Sequence, residues 1–254
     1  MTALIDGVNG WILAYSLACV LGAAVVRGSA GFGFSLLTIT ALSLALEPAR
    51  IVPSIFMLEI AASIPLLPSV WRDVQWGAVG WLLLGVAFFT PTGVWLLAAV
   101  PAAPMKLALG LFVIATTFLL MRGFVMKRMP NRVETVATGA AAGLLNGAFG
   151  IGGPPVILFF FSSPAGAAVG RASVIAFFAL IDVVGLTFLA RQGLVTRASL
   201  LQAALFLPML WLGVWIGHHS FKKADPAAFR RWVLRLLLLM AVLTAAQGAV
   251  GLAG

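Results

Sequence analysis

Charge is what this sequence has least of. Sixteen Lys and Arg and seven Asp and Glu make up only 9% of its 254 residues. Soluble domains carry about 25% charged residues, so this set cannot clothe 26.6 kDa in a water-facing surface. Disordered chains, disulfide-stapled secreted scaffolds and soluble enzymes are excluded together. Cysteine is nearly missing. Cys19 stands alone inside an apolar run, can form no intrachain disulfide and says nothing about redox compartment. Histidine is confined to the adjacent His218 and His219, and such a pair without a third ligand makes a poor metal site. Gly-Lys-Ser and Gly-Lys-Thr do not occur, which removes a phosphate-cradling loop. With both histidines in one loop and no Glu-rich metal motif, a hydrolase acting inside the membrane is disfavoured too. No metal, no cofactor and no enzymatic activity are expected.

What is present is apolar surface, 62% of residues, with a mean hydropathy of +1.12. Lipid offers no partner to backbone polar groups, so a chain crossing it must be helical, or buried in protein where it breaks. The expected fold class is therefore an all-α integral membrane protein. Ten apolar runs emerge, at 11–26, 30–46, 51–70, 76–100, 105–125, 133–149, 151–163, 172–190, 198–217 and 232–250. A helix needs about 20 residues to cross ~30 Å of hydrocarbon. Some runs fall short, and about 8–10 transmembrane or re-entrant helices are expected in one membrane domain spanning 1–254. Met1 to Gly10 holds no Lys or Arg, unlike the basic start of a cleavable signal peptide, so the first run is expected to be retained.

A net charge of +9 would suggest nucleic acid in a soluble protein. Here the basic residues sit in short gaps between apolar runs, where they mark the cytoplasmic side. Placing Arg122, Lys127, Arg128 and Arg132 inside leaves only Arg50, Lys106, Arg191 and Arg197 outside, against eleven inside, with Arg27 unassigned. Both termini then face outward. The partners expected are the lipid bilayer and a small anion, with no nucleic acid, and a homo-oligomer is left open.

An internal repeat is the most informative feature. The segment from Gly28 to Gly33 lines up with Gly147 to Gly152 at an offset of 119. Arg50 meets Arg171 at 121, and Gly93-Val94-Trp95 meets Gly213-Val214-Trp215 at 120. The repeats run over 11–126 and 133–251, joined by a basic cytoplasmic loop. Each holds five runs, an odd number, so the second enters the membrane from the opposite side, an arrangement typical of secondary transporters.

Each half opens on two short runs joined by a glycine cluster. Glycine adopts backbone angles that other residues avoid, and Pro154 and Pro155 cannot continue a helix. Two re-entrant or barely spanning hairpins with unwound tips, arranged symmetrically, are expected. A helix that starts mid-membrane aims unpaired N–H groups and its positive dipole end at whatever lies there, which suits an anion. Close helix packing by small residues is the plainer alternative for either cluster alone. The candidate substrate path comprises Gly28, Ser29, Gly31, Gly33 and Ser35 from the first cluster. The second contributes Asn146, Gly147, Gly150, Gly152, Gly153 and Pro154.

These glycine motifs, the duplicated layout and the apolar runs that follow resemble the sulfite exporter TauE/SafE family, from about Gly22 to Gly248. The resemblance implies a bacterial or archaeal membrane permease for small sulfur-containing anions such as sulfite and sulfonates. The two motifs differ chemically, with Phe34-Ser35 where the second has Gly153-Pro154, so a fully symmetric mechanism is not expected.

Acids inside apolar runs are costly, at least ~2.5–3.5 kcal/mol at the bilayer centre, and default to a functional role. Glu59 and Asp182 are such residues and are the candidates for proton coupling, with helix orientation as the plainer reading. Measured from Arg50 and Arg171, they stand nine and eleven residues on, which turns their side chains about 200° apart. Arg50 and Arg171 would gather anions at the two mouths, or anchor to headgroups, and Arg27 beside the first break would lie deeper. The working mechanism is alternating access, one half rocking against the other around an anion held between the tips. A drug- or metabolite-type carrier, a channel and a subunit without substrate are the competing readings.

Overall fold

The computed structural model describes residues 10–30, 33–122, 130–161, 166–220 and 226–253, and among these every regular element is helical. In the first half, α1 is Gly10–Ala30, α2 Phe34–Leu42 and α3 Pro48–Ser63. A 3₁₀ turn (Ile64–Leu66), α4 (Leu67–Val70) and a second 3₁₀ turn (Trp71–Asp73) extend α3. Then come α5 (Trp76–Ala99) and α6 (Ala102–Met121). The second half holds α7 (Arg132–Phe149), α8 (Gly153–Phe161), α9 (Ala167–Arg191), α10 (Arg197–Ser220) and α11 (Pro226–Ala253).

Seven of these stretches are long and apolar enough to cross a membrane. By contrast α2 and α8 have nine residues each, about 13 Å of helix, less than half the hydrocarbon thickness. The runs at 30–46 and 151–163 are thus half-helices. The first break sits later than the glycine pattern suggests, because α1 stays helical through Arg27, Gly28 and Ser29 to Ala30. Gly31 lies outside the described residues, as do Lys127 and Arg128 of the basic loop. The Tyr15 hydroxyl donates to the Ala41 carbonyl at 2.8 Å, so α2 folds back along α1. A second departure is the third run, which Pro65 and Pro68 break into 3₁₀ and α turns, whereas its counterpart α9 is unbroken.

Large apolar side chains face outward, among them Trp11, Phe88, Trp95, Trp215 and Val250. In water so much exposed apolar surface would aggregate, and lipid removes that penalty. Inside, helix association has to come from close packing, and glycine supplies it. Gly85 and Gly93 of α5 meet the backbone of α7, and Gly139, Gly143 and Gly147 of α7 meet the backbone of α5. Gly213 and Gly217 of α10 meet α1 around Ala24 and Gly28 in the same way. Pairings of α1 with α10, α5 with α7 and α6 with α11 are the most extensive. Exchanging helices according to the sequence offset of 119–121 residues turns the α1–α10 pair into the α7–α5 pair and leaves the α6–α11 pair unchanged. Every one of these interfaces joins helices of different halves.

Candidate functional site

The two breaks converge on one cavity of about 40 Å³. Gly33, Ser35 and Glu59 line it from the first half, and Asn146, Gly152, Gly153, Pro154 and Asp182 from the second. Sequence reasoning missed the apolar part of the wall, Leu36, Ile151, Ile157 and Phe178, which carries no signal beyond ordinary core hydrophobicity. Glu59 stands near the middle of the 26-residue apolar stretch Pro48–Asp73. The end of α1 that reaches it therefore lies near mid-depth of that stretch.

Both breaks are built on left-handed glycines. Gly33, at φ 94°, precedes α2 as its N-cap. Gly150, at φ 69°, ends α7 with its N–H on the Asn146 carbonyl at 2.7 Å. A Cβ on Gly150 would lie 2.5 Å from the Ile39 Cδ1 and 3.2 Å from a Val52 methyl. Gly150→Leu is therefore expected to abolish transport. Gly150 itself does not line the cavity, but backbone strain of about 1–3 kcal/mol and overpacking of a similar amount would fall directly beside Ile151 and Gly152, which do. Uptake by a variant verified as inserted is the measurement, and undiminished flux would remove the hairpin tip from the path.

Arg27 and Glu59 form an ion pair between α1 and α3, with both side chains 4% exposed. The second Arg27 nitrogen donates to the Ser63 hydroxyl at 2.8 Å. The other Glu59 oxygen accepts from the Ser35 N–H at 3.1 Å and from the Ser35 hydroxyl. The start of α2, expected to present free N–H groups to an anion, is thus already occupied by the chain's own carboxylate. In the second half the Asn146 amide nitrogen donates to Asp182 Oδ1 at 3.2 Å, and the Asn146 oxygen accepts from Gly152 N–H at 3.1 Å. Pro154 and Pro155 have no N–H to give, so the start of α8 is poor in donors.

The remaining candidates lie elsewhere. Gly28 faces Val214 of α10, and Gly147 faces Thr90 and Val94 of α5. Both sit at helix crossings and neither lines the cavity. Ser29 donates to the Val26 carbonyl of its own helix at 2.8 Å. Arg50 is exposed and pairs with Glu47 at 2.9 Å. Arg171 is exposed at the start of α9, about 16 Å along the helix from Asp182. Among the described residues no group of His, Cys, Asp and Glu could hold a metal ion.

No solved structure matches the chain. It is 27% identical over 215 residues, 82% of its length and 84% of the relative's, to the "Probable sulfite/organosulfonate exporter TauE" of Cupriavidus necator. It is 26% identical over 187 residues, 72% of its length and 78% of the relative's, to the "Probable inner membrane transporter protein TsaS" of Comamonas testosteroni. The family described as Sulfite exporter TauE/SafE matches residues 16–244, and with its two glycine breaks, half-helices and apolar spans the chain belongs to that family of membrane transporters.

Proposed function

We propose that this membrane transporter exports a small anion, a sulfur-containing one such as sulfite or a sulfonate, by alternating access coupled to protons. The observation that carries the reading is the cavity: two half-helices from different halves of the chain converge there on buried, ionisable side chains near mid-depth. Such groups are costly to keep in a membrane interior and mark substrate and ion pathways. The choice of sulfur anions follows the relative named as a sulfite/organosulfonate exporter. The anion would sit between the tips, against Ser35, Asn146 and Gly153, with Arg27 as the nearest cation. The cavity is small, about 40 Å³, so holding a sulfonate would require the two tips to part slightly.

The inverted topology is part of the reading. A hairpin returns the chain to the side from which it came. Counting each hairpin as two crossings or as none therefore leaves the sidedness of the later helices unchanged, and both termini face outward. The moving bodies would differ from the halves of the sequence, because the most extensive interfaces, α5 with α7, α6 with α11 and α1 with α10, all join helices of different halves. Rocking would take place between these exchanged units.

The test is uptake into proteoliposomes of sulfite, thiosulfate, methanesulfonate, small carboxylates and a neutral organic solute, at two pH values. Sulfur anions are expected to accumulate above protein-free vesicles. Accumulation of the neutral solute alone would make the protein a metabolite-type carrier, and no accumulation of any solute would favour a subunit without a substrate.

A further inference from the structure

We propose that the two buried acids divide the charge work, Glu59 being held in an ion pair by Arg27 while Asp182 carries the one proton that accompanies each anion. This rests on the anion-transport reading for the coupling, and on the geometry alone for the protonation. Extending the 119-residue offset one position back aligns Arg27 with Asn146, each standing just before its glycine cluster. Each donates to an acid on the third helix of its own half, Arg27 to Glu59 and Asn146 to Asp182. The separations are 32 and 36 residues, a difference of one helical turn that leaves the two acids within about 40° of the same face. Counted from the breaks, then, the acids are counterparts, whereas counting from Arg50 and Arg171 sets them on opposite faces.

The partners of these acids are unequal. Glu59 has a guanidinium, a hydroxyl and a backbone N–H. Asp182 has a neutral amide in place of the guanidinium. The counterpart of Ser35 is Pro154, which has neither a hydroxyl nor an N–H. A buried carboxylate without a compensating cation is strongly disfavoured and takes up a proton instead. The charged groups facing Asp182 are Glu59 on α3 and Arg27 on α1, which are paired with each other. No titratable residue occurs on α5 or α8, and Arg132 and Glu134 of α7 lie in its first turn, about 18 Å along the helix from Asn146. Arg72 and Asp73 belong to the exposed segment that packs near the start of α9. Ser173, which accepts the Gln75 N–H there, is nine residues from Asp182, about 13 Å along the helix.

A protonated Asp182 changes what the cavity can bind. With the acid ionised, an anion would meet two carboxylates and one guanidinium. With it protonated, the cluster is neutral and the acid offers an O–H donor in a place short of donors, since Ser35 N–H serves Glu59 and Gly152 N–H serves Asn146. Anion and proton then bind together, each raising the affinity for the other by the same factor, and because the pair is electroneutral its export runs down the anion's own outward concentration gradient. A sodium ion fits less well, because it needs several oxygens at once. The Asn146 oxygen faces Gly152 N–H and the Ser35 hydroxyl is turned to Glu59.

Two measurements on the reconstituted protein decide the matter. Infrared spectroscopy near neutral pH should show the carbonyl band of a protonated carboxylic acid, absent from Asp182→Asn and retained in Glu59→Gln. Absence of the band from the wild type, or its survival in Asp182→Asn, overturns the assignment whether or not a substrate has been found. Methanesulfonate, which stays a monoanion throughout, is the transport probe. Wild-type affinity should fall about tenfold per pH unit once Asp182 ionises, and a pH gradient alone should drive uptake. Flux remaining in Asp182→Asn should ignore that gradient. Uptake driven by a sodium gradient, or indifferent to pH in the wild type, overturns the coupling role. If no anion moves at all, the transport reading falls while the infrared result still decides the state of Asp182.

Discussion

Arg27→Leu is expected to cost about 3–5 kcal/mol of stability, the range seen when one partner of a buried ion pair is removed, and to stop transport. The loss exceeds that of a surface pair because Arg27 and Glu59 are both shielded from solvent, whereas exposed pairs contribute about 0–1 kcal/mol. What the variant leaves behind is a carboxylate with Ser35 and no cation. Thermal unfolding in detergent should therefore separate Arg27→Leu clearly from the wild type. Arg27→Leu/Glu59→Leu removes both charges and should recover most of the stability without recovering flux. A single variant as stable as the wild type would mean that the pair is not buried in the membrane-embedded protein.

Gly93→Val should be the most damaging change away from the cavity. A Cβ there would run into the Leu144 carbonyl and lie 2.8 Å from Ala148 N and 2.9 Å from Gly147 Cα. All are backbone atoms, which cannot rotate aside, so α5 and α7 would have to separate along their whole crossing. Overpacking ordinarily costs about 1–3 kcal/mol when side chains can adjust, and here the cost should exceed that range. Gly213→Val should do the same at the α1–α10 crossing, where the new atom would meet Ala24 Cβ at 2.5 Å and the Leu21 carbonyl at 2.7 Å. Gly22→Val is the control. Nothing lies within 4 Å of that position, and its effect should stay within about 0.5 kcal/mol. Folded yield after solubilisation measures all of them. Normal yield of Gly93→Val would show that these helices do not approach as closely as the structure has them.

The glycine landmarks of the repeat divide into two kinds, and only the structure tells them apart. Gly28 and Gly147 match perfectly in the sequence, yet both serve helix crossings, as does the Gly-Val-Trp pair that matched independently. These landmarks are packing partners of one another across the halves. Gly33, Gly152 and Gly153 are no more conspicuous in the sequence, and they line the cavity. A glycine that admits a neighbouring helix and one that admits a ligand leave the same mark on a sequence, because both record only the absence of a Cβ.

Composition and run length alone determined that this is a helical membrane protein. Apolar side chains and intrahelical hydrogen bonds are local requirements of lipid and are written residue by residue. The same holds for the run at 151–163, too short to cross fully whatever it packs against, whereas the 17-residue run at 30–46 could have spanned and only the structure shortens it to the half-helix α2. The tertiary structure decided which charges matter to one another. Arg27 and Glu59 are 32 residues apart, and Asn146 and Asp182 are 36 apart. Nothing in the chain marks them as pairs until α1 meets α3 and α7 meets α9. Whether a buried acid has a cation beside it is a property of that meeting, and it sets Glu59 and Asp182, two similar acids in two similar runs, apart.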